Sequence, residues 1–427
     1  MTSTNKKLFS YIKASPTPYH AVAHTAKLLE EKGAVRLFES DEISLESGKT
    51  YYVTRGGSSL IAFRIPHNIR GGFMISAAHS DSPCFKVKDS PELIGHHTVS
   101  LSTEGYGGMI CPSWLDRPLG IAGRVVTRTT NGIKTILTDS TEPCAVIPNV
   151  AIHMNRKLNN GISYNNAVDM IPLFSSSEVG SFKRMIAEKA GVNEDDIISW
   201  DLSVYCAESG VEWGEYISAP RLDDLQCAYA SLEAFTSAEL KESIPVYCLF
   251  DNEEVGSLTR QGADSTFLRD TLEAICNSFS LDIRRMCARS FLASCDNAHA
   301  CHPNHPELSD KNHAVHMNGG VVIKFNANQK YTSDGVSTGL FRLMCERAGV
   351  KSQLYANRAD MPGGSTLGNI SNAHVSLCSV DVGLAQLAMH SAFESAGADD
   401  TESMICALAK MFESSLVPGI DGDYSVE

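Results

Sequence analysis

A chain of 427 residues with 43% hydrophobic content can bury a sizeable core and is long enough for two or three domains. Its 50 acidic against 36 basic residues leave a formal net charge of -14, which argues against nucleic acid or any other anionic polymer as a partner. The start, MTSTNKKLFSYIKASPTP, has no apolar core of a secretory signal, no apolar run approaches a membrane span, and thirteen cysteines without a C-x-x-C spacing read as reduced core thiols, so a cytoplasmic protein with no membrane partner is expected.

Residues 5 to 33 predict two helices, broken at SPTP and stopped at Gly33, with Leu8, Tyr11, Ile12, Ala21, Leu28 and Leu29 as candidate core positions. YYVTRGGSSLIAFRI predicts two strands joined at Gly56-Gly57, and the apolar strand from Phe73 to Ala78 runs straight into His79 and Asp81. From about 90 to 219 the texture changes to short β-prone runs cut by Gly, Pro and Asn, which predicts an inserted β-rich domain. From 220 onward strands and helices alternate again: the helix LQCAYASLEAF, the strands IPVYCLF, SFLAS and HVSLCSV, the segment GGVVIKF, and a last helix near 402 to 413. The expected fold is therefore α/β, a mostly parallel sheet flanked by helices, built from 1–89 and 220–427 and interrupted by the β-rich 90–219.

Polar residues follow these apolar strands in a pattern. FMISAA leads to His79 and Asp81, IPVYCLF to Asp251, Glu253 and Glu254, SFLAS to Asp296 past Cys295, and HVSLCSV to Asp381 and His390, while Asp223 and Asp224 precede a helix. Taken singly, each has a bland reading as a surface turn, a helix cap or a satisfied core histidine. In an open α/β sheet, however, ligand sites gather at the carboxyl ends of the strands, so these groups can converge. Two imidazoles with three or four carboxylates form an N/O donor set suited to zinc, cobalt or manganese, and sharing one carboxylate lets five ligands serve two ions. Adjacent Glu253 and Glu254 are then tolerable if one binds metal and the other is a base, provided the strand ends by about Asn252 and a turn re-aims them.

The stretches AAHSDSPCFKVK, APRLDD, DNEEVGS, SCDNAHACHPNHPE, VVIKFNANQKY and VDVGLAQLAMHS, in this order and over nearly the whole chain, resemble the motifs of the aspartyl aminopeptidase family of dinuclear zinc exopeptidases, in its bacterial branch. The resemblance implies His79 and Asp296 on one metal ion, Glu254 and His390 on the other, and Asp223 bridging both. It further implies Glu253 as general base, Asp81 as the carboxylate orienting His79, and a cis bond between Asp223 and Asp224. Lys324 matches a substrate-binding lysine, with Tyr331, His299, Gly363 and Gly364 as further substrate contacts. Also implied are a zinc exopeptidase fold, a second domain serving oligomerisation, a tetrahedral homo-dodecamer, and His153 reaching a neighbouring subunit's active site.

Where acidic-specific relatives carry Q-R-Y and a P-C-G-T-T type loop, this chain has QKY and MPGGSTLG, so an acidic preference at P1 is one expectation and a neutral one the other. MPGGSTLG lacks the Lys of a phosphate-binding loop, and Ser365 lacks the G-x-S-x-G of a nucleophile elbow. The leading expectation is a metalloaminopeptidase acting on peptides with two divalent ions, zinc first and cobalt or manganese as alternatives. A dinuclear amidohydrolase or deacylase on N-acyl substrates would use the same ligands, and a non-catalytic assembly protein is the third reading.

Overall fold

The computed structural model describes residues 1–176, 179–364 and 366–427; Ser365 lies outside the described residues. Contacts divide the chain into two units, Met1–Asp81 with Val211–Met389 and Glu394–Glu427, and Ser82–Gly210 with His390–Phe393.

In the first unit a nine-stranded sheet runs in the order Val35–Leu37, Thr50–Arg55, Ser59–Arg64, Ile244–Phe250, Phe73–His79, Phe291–Cys295, Cys378–Gly383, Val321–Lys324 and Ser352–Tyr355. The middle of it, from Ile244–Phe250 to Cys378–Gly383, is parallel throughout. Because successive side chains of a strand point to opposite faces, a strand covered on both sides is apolar at nearly every position. Phe73–His79 and Ile244–Phe250 are accordingly buried along their whole length. Met74 and Ala78 join one core with Leu225, Phe235, Phe341 and Met411 from the covering helices, while Phe73, Ile75 and Ala77 join a second core with Phe267, Leu272 and Ile275. The two amino-terminal helices are Ser3–Ala14 and Pro18–Glu31, with Gly33 in the left-handed region at φ +85. Leu8, Tyr11, Ile12, Ala21 and Leu29 are buried, and Leu28 is partly so.

The second unit is a six-stranded antiparallel sheet in the order Gly132–Asp139, Leu119–Thr129, Ile197–Cys206, Cys84–Gly95, Thr98–Tyr106 and Leu173–Ser175. It has its own core, in which Phe85 meets Trp114 edge to face at 5.3 Å between ring centroids. Its edges differ from the composition boundary at 90–219. Cys84–Gly95 is one continuous strand of this sheet, whereas Val211–Trp213 and Tyr216–Ala219 pair within a five-stranded sheet of the first unit. Strand pairing, a long-range property, overrides the local change of texture.

One expected strand is shifted. HVSLCSV gives way to Cys378–Gly383, so Asp381 lies inside the strand instead of after it. Its buried carboxylate is accommodated because Oδ1 accepts from the Thr366 hydroxyl at 2.5 Å and Oδ2 from the Thr332 amide at 2.5 Å.

Gly383 ends that strand where the chain after Phe291–Cys295 passes closest: a Cβ there would sit 1.8 Å from the carbonyl oxygen of Asp296. That carbonyl cannot yield freely, since the Asp296 amide donates to Val382 O at 2.9 Å. Gly383→Ala is therefore expected to destabilise the protein by at least about 2 kcal/mol. A urea unfolding midpoint equal to that of the native protein would contradict this packing.

Candidate metal centre

Three neighbouring parallel strands end side by side and deliver polar residues to one edge. Phe73–His79 ends on His79, Ile244–Phe250 on the residue paired with His79, and Phe291–Cys295 immediately before Asp296. After Phe250 the chain turns through Asn252, left-handed at φ 63, into the 3-10 turn Glu253–Val255. Asn is among the few residues that adopt this conformation readily, and its Oδ1 accepts from Thr259 Oγ1 at 2.9 Å and Gln261 Nε2 at 3.0 Å. The amides of Glu253 and Glu254 donate to the two oxygens of Asp81, at 3.2 and 3.1 Å. Asp81 thus holds the turn that carries both glutamates. Asp223 and Asp224 stand at the start of Leu222–Ser237, in non-helical conformation, and the peptide bond between them is cis.

One donor atom each from His79, Asp223, Asp224 and Asp296 lies within 4.8 Å of all the others, and a carboxylate oxygen of Asp223 lies within the same distance of one from Glu254. Asp224, which the sequence offered only as a nearby carboxylate, belongs to this cluster. His79 Nδ1 lies 3.1 Å from Asp81 O, an atom that can only accept, so Nδ1 carries a proton, and Nε2 is turned to Asp223 Oδ1 at 3.4 Å. A spacing of about 3.4 Å is also what two ligands on a tetrahedral ion with bonds of about 2.0–2.1 Å require. Asp224 Oδ2 accepts the His79 amide at 3.1 Å, and its Oδ1 is buried with no hydrogen-bond partner.

Electrostatics points the same way. Burial pushes Asp224 well above the usual carboxylate range, with Asp296 and Asp223 adding to it against the pull of His79. Glu253 is pushed up to about 8, by burial first, then by Asp296, Asp81 and Asp223, again against His79. For His79, burial favours the neutral ring, but contacts with Asp223 and Asp81 hold it well above its ordinary value. So many carboxylates cannot all ionise in a buried place without added positive charge. The buried oxygen of Asp224, the close approach of the donor atoms and their N/O types together fit a bound divalent cation.

The remaining sequence candidates are placed as follows. Lys324 is buried, and its Nζ donates to Asp296 O at 2.8 Å, Asp296 Oδ2 at 3.2 Å and Asn297 O at 3.3 Å, which engages its three N–H groups. Tyr331 packs its ring against this ammonium, 5.3 Å from the centroid. His299 is exposed on the rim of a cleft of about 480 Å³ lined also by Tyr355, Asn357, Met361 and Gln386. A Cβ on Gly363 would meet Asn357 Oδ1 at 2.8 Å, whereas Gly364 faces open space. In the second unit, His390 Nδ1 donates to Gly108 O at 2.7 Å, and His153 stands exposed on a turn. Sequence reasoning missed the buried Asn297, Gln386 and Glu394, whose amide and carboxylate groups carry no motif. The one signal available was polarity inside otherwise apolar segments.

Comparison with known proteins gives consistent matches. A family model described as Aminopeptidase I zinc metalloprotease (M18) matches residues 11–412. The chain is 41% identical over 410 residues to a probable M18 family aminopeptidase 2 of Clostridium novyi, covering 92% of this chain and 95% of that protein. Among solved structures it is similar to the cryo-EM structure of the Ape4 and Nbr1 complex, with a TM-score of 0.93 and 30% identity, covering 96% of this chain and 85% of that one. It is also similar to the S. cerevisiae mApe1 dodecamer, with a TM-score of 0.84 and 28% identity over 96% of each chain.

Proposed function

This chain belongs to the M18 family of zinc metalloproteases and is an aminopeptidase, and from that premise we propose that it removes the N-terminal residue of peptides with two divalent metal ions and Glu253 as general base. The observation that carries the reading is the buried cluster of His79, Asp223, Asp224 and Asp296 beside a turn that presents both Glu253 and Glu254. His79 and Asp296 would hold one ion, Glu254 and His390 the other, and Asp223 both. The chemistry bound ions supply is Lewis-acid polarisation of the scissile carbonyl and acidification of the attacking water. Glu253 takes the proton of that water and returns it to the leaving amine, its backbone fixed by Asp81 so that the carboxylate need not search for its place. Action in the cytoplasm is part of the same proposal, supported by thirteen cysteines without a C-x-x-C spacing, all at least partly buried.

Glu253→Gln is expected to keep its metal and to lower kcat at least ~100-fold, whereas Glu254→Gln loses metal. Elemental analysis beside the assay checks this, and equal metal loss in both variants would falsify the division of roles.

An acidic preference at P1 is the finer proposal, with Lys324 as its carrier. The engagement of Lys324 Nζ with Asp296 and Asn297 favours a second role, counter-ion to Asp296. A panel of N-terminal Asp, Glu, Leu and Met peptides decides between them. A substrate contact predicts that Lys324→Ala slows the acidic peptides selectively, while a counter-ion predicts equal loss on all four and weaker metal retention.

We also propose that the second unit serves assembly into a homo-oligomer, a tetrahedral dodecamer, in which His153 of one chain stabilises the developing oxyanion in a neighbour. Val150, Ile152 and Met154 around it are 51%, 44% and 82% exposed, an apolar surface that assembly would cover. A preorganised donor of this kind is worth about 3 kcal/mol. His153→Phe should keep fold and metal and lose most of kcat, and mixing it with Glu253→Gln chains under demonstrated subunit exchange should restore activity. No recovery would mean that His153 acts within its own chain or not at all.

A further inference from the structure

Beneath the carboxylate cluster lies a buried polar network that the reaction does not use. Asn297, next to Asp296 and 2% exposed, is its knot. Its Oδ1 accepts from the Leu384 amide at 3.2 Å and from Cys227 Sγ at 3.1 Å, and its Nδ2 donates to Leu222 O at 3.2 Å. A backbone N–H on one end and a carbonyl on the other fix the amide's orientation. The same Nδ2 donates to Gln226 Oε1 at 3.1 Å and Gln386 Oε1 at 2.7 Å. Gln226 passes on to the Thr401 hydroxyl at 3.0 Å, and Gln386 Nε2 donates to Glu394 Oε1 at 3.3 Å. The other oxygen, Glu394 Oε2, accepts the amide of Asp223 at 3.0 Å.

Asp296 and Asp223 arrive from different elements, one after a strand and one at the start of a helix. The network ties them together twice without any ion. Asn297 binds the carbonyl of Leu222, the residue before Asp223, and through Gln386 and Glu394 it reaches the amide of Asp223 itself. Two like-charged side chains spring apart when no cation holds them, so a tether that works on their backbones lowers the cost of assembling the cage. Glu394 must be a carboxylate for this: both of its oxygens face donors, and an amide would turn an NH2 towards one of them.

We propose that Asn297 and Glu394 are positioning residues that set metal affinity by preassembling the Asp223 and Asp296 ligands, an inference that rests on the metal-centre reading above. The test measures zinc affinity by competition with a chelating indicator, and zinc release into excess chelator, for the full-length protein, Asn297→Ala and the isosteric Glu394→Gln. Circular dichroism and the metal-free unfolding midpoint are followed in parallel. Zinc affinity is expected to fall at least ~10-fold in each variant, with faster release, while secondary structure is kept. Native affinity in folded variants, even with a lowered metal-free midpoint, assigns the network to stability alone and overturns the proposal. If Asn297→Ala does not fold, Glu394→Gln decides. A native protein that binds no zinc at all would instead reject the metal centre, an outcome distinct from native affinity in the variants.

Discussion

The structure turns on one electrostatic constraint: carboxylates of like charge brought together away from water, with a single imidazole among those of the first unit. Ordinary packing would scatter them, because each ionised group repels its neighbours and loses hydration. What keeps them together is a set of tethers that act on the backbone. Asp81 takes the amides of Glu253 and Glu254, Glu394 takes the amide of Asp223, and Lys324 grips the carbonyls of Asp296 and Asn297. The first two hold the ligand or base residues by their backbone amides, whereas Lys324 also reaches the Asp296 carboxylate at 3.2 Å. A divalent cation bound there would complete the cage, its positive charge offsetting the mutual repulsion of the carboxylates.

The sheet determines where such a centre can lie. A strand covered on both faces has little room for charged side chains along its length, so chemistry begins where the strand stops. Parallel pairing brings three such stops to one edge, and His79, the Glu253 turn and Asp296 follow from it. Asp381 is the instructive exception. It sits within a strand and is tolerated because two hydroxyl or amide donors from loops meet its oxygens.

Histidine placement repeats the logic. In both His79 and His390 a backbone carbonyl holds Nδ1–H, which orients the ring. The second unit is built on other terms, an antiparallel sheet with a core of its own, and it leaves Val150, Ile152 and Met154 around His153 exposed.

How much of this was legible in advance depended on how local the cause is. Apolar runs bounded by turn residues marked the strands Phe73–His79 and Ile244–Phe250, the helices broken at SPTP, and the turn at Asn252, because burial period and turn chemistry act over a few residues. The donor types were legible too, since polar residues at strand ends stand out against their surroundings. The sequence by itself thus determined the α/β class, the strand ends and the inventory of His, Asp and Glu available there. Only the tertiary structure decided that Asp224 joins the cluster, that Lys324 lies against Asp296, that Asp381 is inside a strand, and that Asn297 and Glu394 reach the Asp223 segment. The contacts of Asn297 and Glu394 join residues 75 and 171 positions apart, and hydrogen bonds across such separations leave no period or spacing in the chain. They form only once the sheet has placed their backbones.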